Sequence, residues 1–582
     1  MDTPDRAGAS ISLVLRELWG TLPSDQRRRL LALTALVAIA GVLEMIGIAA
    51  LLPLISIFQR PERIAENQMF SSLNAALGLP THDNFILIML VALFGYYLVK
   101  NVFLVLLDGF QYRSLAAIQA DWARKLMGSY LNRDYSYHLR VNSALLIRNV
   151  TSEVSTVLYY VLVPATSLLA EAFVIGFLLA LLVYMDPLVA SFFLAVGGAF
   201  LGLFYRAFQQ RSYQIGESLR NSSANMIQHA KEGFGGIKEI KVMGREPFFA
   251  ESFGGHVKSY TEAWSRSLVL YKLPTHLIEF VFVTIFAGLL ALLTFRHSPG
   301  SAFPLLAVYA ATAFRLIPSL NRIVTSLNLI KQGSASAQVL CTELLHLGPA
   351  GETVVGGPFP LSSEIRISGL SFRHQGADQD TLLDVSLTIP RGAMIGFAGK
   401  SGAGKTTLID CVIGLLTPGA GTIEVDGRNI QGNLPAWQKQ IGYIPQHIYL
   451  LDDSLRHNIA LGLRDEEIDS ARVAKAVLDA QLSELVDSLP EGLDTKVGEH
   501  GVRLSGGQRQ RIGIARALYH DPVVLVMDEA TSALDAATEQ AIVTTVSGLK
   551  GSRTILVIAH RLASMEACDK VVHMSAGRVQ AQ

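Results

Sequence analysis

Apolar runs of membrane-spanning length dominate the first 340 residues, and short apolar stretches punctuated by glycine and proline dominate the rest. A hydrocarbon core roughly 30 Å thick needs about 20 mostly apolar helical residues. Six stretches meet that need, at about 30–57, 85–107, 157–184, 187–206, 273–295 and 302–329. Only Met185, Asp186 and Pro187 separate the third from the fourth, which predicts a tight helical hairpin. Before the first span, Ile11, Val14, Leu15, Leu18, Trp19 and Leu22 recur at helical spacing with Ser12, Arg16, Glu17 and Gly20 opposite. That pattern predicts a helix lying flat in the cytoplasmic membrane interface. A shorter amphipathic pattern over 67–79 predicts either a helix touching the outer leaflet or a plain loop helix.

Orientation follows from the placement of lysine and arginine. Arg27, Arg28 and Arg29 precede the first span, Arg113 to Arg148 supply six cations after the second, and Arg206 to Arg266 supply nine after the fourth. The other connections carry few, so both termini and both long loops are expected in the cytoplasm. These loops keep helical apolar spacing, so the helices are expected to run past the bilayer. Each would end in a short transverse helix, at 141–146 and 232–237, or form a plain solvated hairpin.

Composition agrees: half the residues are hydrophobic, 17% are charged and the mean hydropathy is +0.36, although the last third reads as an ordinary soluble domain. Lysine plus arginine equal aspartate plus glutamate at 49 each, so no net field points to nucleic acid as a partner. Cys341, Cys411 and Cys568 lack metal-ligand spacing and suggest neither zinc nor a disulfide framework. The first long apolar run begins only near Leu30 and exceeds the core of a cleavable signal, so it is expected to stay in the membrane.

A Gly- and Pro-containing linker over 348–360 leads into strands alternating with helices. The apolar strand over 393–398 runs into Gly399-Lys400-Ser401-Gly402-Ala403-Gly404-Lys405-Thr406, with Thr407 following. This is the phosphate-binding pattern G-x-x-x-x-G-K-[ST], in which glycines let successive backbone N–H groups face the phosphates. The next helix points its positive end at them. Lys405 is expected to reach the β- and γ-phosphates and Thr406 to hold Mg²⁺. A second apolar strand, 523–527, delivers Asp528 and Glu529 at its carboxyl end, where ligands bind in open α/β sheets. Asp528 is expected to hold Mg²⁺ and Glu529 to orient and deprotonate the attacking water.

Leu504-Ser505-Gly506-Gly507-Gln508 matches the ATP-binding-cassette signature, and the chain resembles that family at Gln446, at 495–501, at Asp535 in a Ser-Ala-Leu-Asp loop and at His560. Six spans before one cassette resemble an exporter half-transporter. The fold class expected is therefore multi-domain. An α-helical six-span transmembrane domain of the type I ABC exporter kind covers 1–340, a linker 341–362, and an α/β P-loop nucleotide-binding domain 363–582. The resemblance implies a homodimer with ATP and Mg²⁺, in which Ser505, Gly506, Gly507 and Gln508 of one copy close on nucleotide held by Lys405 of the other. His560 would read the γ-phosphate and Gln446 would tie the metal to the membrane loops. The base-stacking position, usually an aromatic-x-tyrosine, is His374 after Phe372 and Arg373.

Ionisable residues within or beside the spans include Glu44, Lys100, Glu171, Lys272, Glu279, Arg315 and Arg322. Such charges are costly in a membrane and mark functional candidates. Arg315 and Arg322 are seven apart and share a helix face. They are expected either to receive an anionic headgroup, with Lys100 and Lys272, or to pair with Glu279 or Glu44. The stretch 313–322 resembles the PglK type, the bacterial flippases of lipid-linked oligosaccharide. The function expected is ATP-driven flipping of a polyprenyl-pyrophosphate-linked oligosaccharide across a bacterial inner membrane, with export of another lipid, polysaccharide, drug or peptide as the alternative. An ATP-gated channel or regulator is the reading from a different class, and Glu529 and His560 argue against it.

Overall fold

The computed structural model describes residues 11–50, 54, 57, 82–185, 187–296, 299–345, 359–498, 501, 504–529, 536–558 and 565–580. By compactness the chain forms two units, Met1–Arg133 with Val141–Ala350, and Asp134–Arg140 with Gly351–Gln582. The amphipathic pattern expected over 67–79 lies outside the described residues.

The first unit is helical: α1 (Ile11–Thr21), α2 (Ser24–Ala49), α3 (His82–Leu131), a helix broken by two π-turns from Ser143 to Met185, α4 (Pro187–Gly235), α5 (Ile237–Met243), α6 (Glu246–Arg296) and α7 (Pro299–Leu345). Five described helices are long and apolar enough to cross a membrane. The sixth expected span, 302–329, lies inside α7, whose side chains over 301–309 are outside the described residues. Pro187 opens α4, where its missing N–H is no loss. Gly244 closes α5 in the left-handed region at φ 60°.

Part of the apolar stripe of α1 packs on protein: Val14 and Leu18 are buried among Leu115, Trp122 and Leu126 of α3 and Leu344 of α7, whereas Trp19 of the same stripe stays exposed. A one-turn helix precedes the stretch 141–146 that is expected to lie transverse. Tyr135–His138 forms a one-turn helix within Asp134–Arg140, and Arg140 donates to Gln375 Oε1 in the second unit. The next helix begins at Ser143 because Asn142 caps it, its Oδ1 accepting from Ala144 N at 2.9 Å.

The second unit holds two sheets. β1 (Glu364–Phe372), β2 (Leu382–Pro390), β4 (Ala420–Val425) and β5 (Arg428–Asn429) form an antiparallel sheet in the order β2-β1-β4-β5. The larger sheet runs β10-β9-β3-β8-β7-β6, from β3 (Met394–Ala398), β6 (Ile441–Ile444), β7 (Val524–Asp528), β8 (Thr554–Ile558), β9 (Lys570–Ser575) and β10 (Arg578–Val579). β3, β6, β7, β8 and β9 run parallel to one another while β10 joins β9 antiparallel, and β7 is buried at every position, as a strand covered on both faces must be. One apolar core lies around the helix α8 (Lys405–Val412) and Trp437, whose indole N–H donates to Val412 O at 2.8 Å. A second lies under α9 (Gly506–Tyr519).

Candidate functional site

β3 lies between β8 and β9, and its carboxyl end opens into the loop 399–404 before α8. Gly399, Gly402 and Gly404 have φ of 154°, 79° and 96°. A Cβ on Gly399 would fall 2.3 Å from Met574 O, and one on Gly404 would fall 2.9 Å from Thr381 O. Glycine at those two positions is therefore required both by conformation and by space. Lys405 is 5% exposed and its Nζ donates to Gly399 O at 2.8 Å and Lys400 O at 3.2 Å. The ammonium is thus held against the loop backbone, and Lys400, Ser401 and Thr406 are exposed beside it in the chain.

β7 carries Asp528 to the end of the adjacent region of the sheet, and Glu529 follows it in the left-handed region at φ 46°. For a non-glycine residue this is a strained conformation of the kind found at active sites. Glu529 N donates to Ile558 O at 2.9 Å, and Gln446, which follows β6, donates its Nε2 to Glu529 Oε2 at 2.8 Å. Tyr443 donates its hydroxyl to Asp528 Oδ2 at 3.4 Å. Burial raises the Asp528 carboxyl above its ordinary range, and the neighbouring Glu529 adds to the rise. Burial also pushes Asp410 up to about 6, with the charge of Asp528 contributing. Neither Tyr443 nor Asp410 was among the expected site residues. Asp410 lies one helical turn beyond Thr406, and that spacing was the available signal.

Ser505 is the N-cap of α9. Its Oγ accepts from Gln508 N at 3.2 Å while Gln508 Oε1 accepts from Ser505 N at 2.8 Å, a reciprocal capping box. Gln508 therefore shapes the turn, and the N–H groups of Gly506 and Gly507 open the helix. Further along α9, Arg516 donates to Asn458 O and Tyr449 O, each at 2.8 Å, a buttress that no sequence motif announced. His374 packs edge-on to Phe372 with ring centroids 4.9 Å apart, just past the end of β1. Asp535 and His560 lie outside the described residues.

The intramembrane candidates assemble into ion pairs. Glu44 on α2 receives Lys100 Nζ at 3.4 Å on one oxygen and Arg315 Nε at 3.2 Å on the other. Arg322 Nη1 reaches Glu171 Oε1 at 2.6 Å, where the glutamate is buried and the arginine is 58% exposed. Of the two partners expected from sequence, Glu44 serves Arg315, whereas Arg322 takes Glu171. Lys272 is exposed on α6.

Residues 382–532 match the family model described as ABC transporter, and residues 30–312 match that described as ABC transporter transmembrane region. The ATP-dependent lipid A-core flippase of Alkalilimnicola ehrlichii is 31% identical over 468 residues, covering 79% of this chain and 78% of its own. The protein of the same name from Pseudomonas putida is 31% identical over 453 residues, covering 77% and 73%. A solved bacterial Atm1-family ABC exporter with ATP bound shares the fold, with a TM-score of 0.80 and 20% identity over 96% of each chain. A membrane helical half followed by a cassette with its phosphate loop, acidic strand end and capped signature helix is thus accounted for: the chain belongs to the ABC transporters, as an exporter half-transporter that couples ATP hydrolysis to transport.

Proposed function

We propose that this chain, as a homodimer, flips a phosphorylated glycolipid from the inner to the outer leaflet of a bacterial cytoplasmic membrane, both termini being cytoplasmic. The observation that carries the cargo class is Glu44, whose single carboxylate serves both Lys100 and Arg315. Two cations on one anion leave a positive charge among helices where an uncompensated charge is costly. A phosphate would neutralise it with charge-assisted hydrogen bonds. The relatives named for lipid A-core point to the same class. A saccharide headgroup needs a pump because stripping water from its hydroxyls is too costly for passive crossing.

The nucleotide chemistry follows from the chain's own residues. Lys405 and the N–H groups of 399–406 would hold the phosphates, and His374 would stack on the base. Ser505 and Gly507 of the second copy would complete the site. Glu529, positioned by Gln446, would orient the attacking water and accept its proton, and Asp535 and His560 are assigned to the copy-to-copy contact and the γ-phosphate. Thr406, Gln446 and Asp528 fit Mg²⁺, because Asp528 is raised by burial beside Glu529 and a cation relieves that crowding. Bound Mg²⁺ supplies charge neutralisation on the β- and γ-oxygens. Closure driven by ATP then shifts the membrane half, as the closed state binds nucleotide more tightly.

A lipid-linked oligosaccharide on polyprenyl pyrophosphate is the second reading, favoured by the stretch 313–322. Both are tested in proteoliposomes with ATP, comparing flipping of a lipid A-type glycolipid, a polyprenyl-pyrophosphate saccharide and a neutral glycolipid. Faster flipping of the neutral lipid than of either phosphorylated one would remove the proposal.

A further inference from the structure

A cavity of about 440 Å³ in the first unit is separate from the Glu44 cluster and from the nucleotide site. Its walls come from four segments: the helix from Ser143, α4, α6 and α7. Arg148, Gly216, Arg220, Tyr260 and Gln332 all fall outside the apolar spans read from the sequence, on the stretches we read as cytoplasmic extensions. A Cβ on Gly216 would fall 1.9 Å from Gln332 O, so α4 and α7 are in backbone contact at one wall, and glycine is required there.

Charge inside the cavity is unbalanced. Arg148 and Glu153 are each 3% exposed, and Glu153 Oε1 lies 3.1 Å from both Arg148 Nε and Arg220 Nε. Only Arg220 meets it with hydrogen-bond geometry. Arg148 Nε and Nη2, and Glu153 Oε2, have no hydrogen-bond partner. Two guanidinium groups against a single carboxylate leave one positive charge, and buried unpaired N–H groups on a cation are among the costliest features a protein interior can hold. The surrounding wall is hydroxyl-bearing, with Thr156, Ser223 and Tyr260 among its residues. The backbone is specialised as well. Asn149–Glu153 is a π-turn, a rare form found mostly at functional sites, and its wider register brings Arg148 and Glu153, five residues apart, within contact.

We propose that this cavity binds a phosphorylated saccharide, its phosphate beside the Arg148 and Arg220 guanidinium groups and its hydroxyls on the surrounding side chains, as a loading site for the cargo headgroup before it crosses. An arginine fork matches a phosphate oxygen pair better than any neutral ligand would. The assignment rests on the phosphoglycolipid reading above for its biological ligand, although the site chemistry would also admit a free sugar phosphate.

The test uses the full chain in lipid nanodiscs and measures Kd for glucosamine 6-phosphate, glucosamine and a lipid A-type phosphoglycolipid, in wild type, R148Q and S223L. R148Q leaves Glu153 paired with Arg220, so no carboxylate is stranded. S223L keeps every charge and fills the cavity, so it remains informative if R148Q fails to fold. The expected result is a weakening of the phosphorylated ligands by at least tenfold in each variant, the size of one charge-assisted hydrogen bond. Binding of the lipid alone identifies a headgroup site, and binding of the sugar phosphate as well identifies a site open to soluble ligands. Phosphate held at the nucleotide loop would be untouched by either variant. Equal Kd in wild type and both variants, or equal Kd for glucosamine and its phosphate, overturns the site. In the proteoliposome assay above, unchanged flipping in both variants sinks this inference and leaves the proposed function standing, whereas a wild type that flips no phosphoglycolipid sinks the function alone if glucosamine 6-phosphate still binds.

Discussion

Gln446 and Glu529 are joined by a 2.8 Å hydrogen bond, the amide nitrogen of the first donating to Oε2 of the second. They follow the adjacent parallel strands β6 and β7, so a shift at either strand end is felt at this carboxylate.

Replacing Glu529 with glutamine should preserve ATP binding and reduce turnover by about 100-fold or more, the usual size of a general-base contribution. Steady-state ATPase and equilibrium ATP binding on the purified dimer check it. Undiminished hydrolysis would take Glu529 out of that role.

Gly404→Ala should harm the nucleotide loop more than Gly402→Ala. Both glycines have positive φ, but a Cβ at 404 meets Thr381 O at 2.9 Å whereas one at 402 meets nothing within 4 Å. Conformational strain alone costs about 1–3 kcal/mol, and only the 404 variant adds a backbone collision. Nucleotide affinity and Tm of the two variants should therefore rank in that order.

Arg516→Ala should destabilise the second unit by about 2–4 kcal/mol, because the carbonyls of Tyr449 and Asn458 lose a cationic donor. A lowered Tm with unchanged ATP affinity per folded molecule is the expected signature.

Asp569 gives a pH prediction. Its carboxylate takes Lys550 at 2.7 Å and accepts from Met394 N at 2.8 Å, and these hold its pKa below the ordinary 3.8. A lowered folded pKa contributes stability that is present above the ordinary value and is lost as pH falls through the folded one. Acid unfolding of wild type should steepen below about pH 4. Asp569→Asn should be less stable at neutral pH and show a shallower decline in that window.

Arg315→Ala should lower transport more than ATP hydrolysis, by about tenfold in lipid flipped per ATP consumed, since a charge-assisted contact to phosphate is lost. Proportional loss of both rates would assign Arg315 to packing against Glu44 instead.

Motifs whose residues are contiguous were legible because local backbone geometry creates their chemistry. The phosphate loop is one, since its glycines and Lys405 need only a strand before them and a helix after. The signature turn is another, because Ser505 and Gln508 cap within four residues. Side-chain partners that meet across the fold were not legible. Tyr443 reaches Asp528 across 85 residues, Arg220 reaches Glu153 across 67, and Arg315 reaches Glu44 across 271.

The chain's hydropathy and its short motifs determined the class of molecule: membrane helices from apolar length, a nucleotide machine from turn chemistry. Both signals are local, set by what a few consecutive residues can do with water, lipid or phosphate. Only the tertiary structure decided what covers the apolar face of α1, which carboxylate answers each intramembrane arginine, and that Arg148 is buried with donors to spare. Those outcomes depend on which helices meet at which register, and periodicity defines a face without naming its partner.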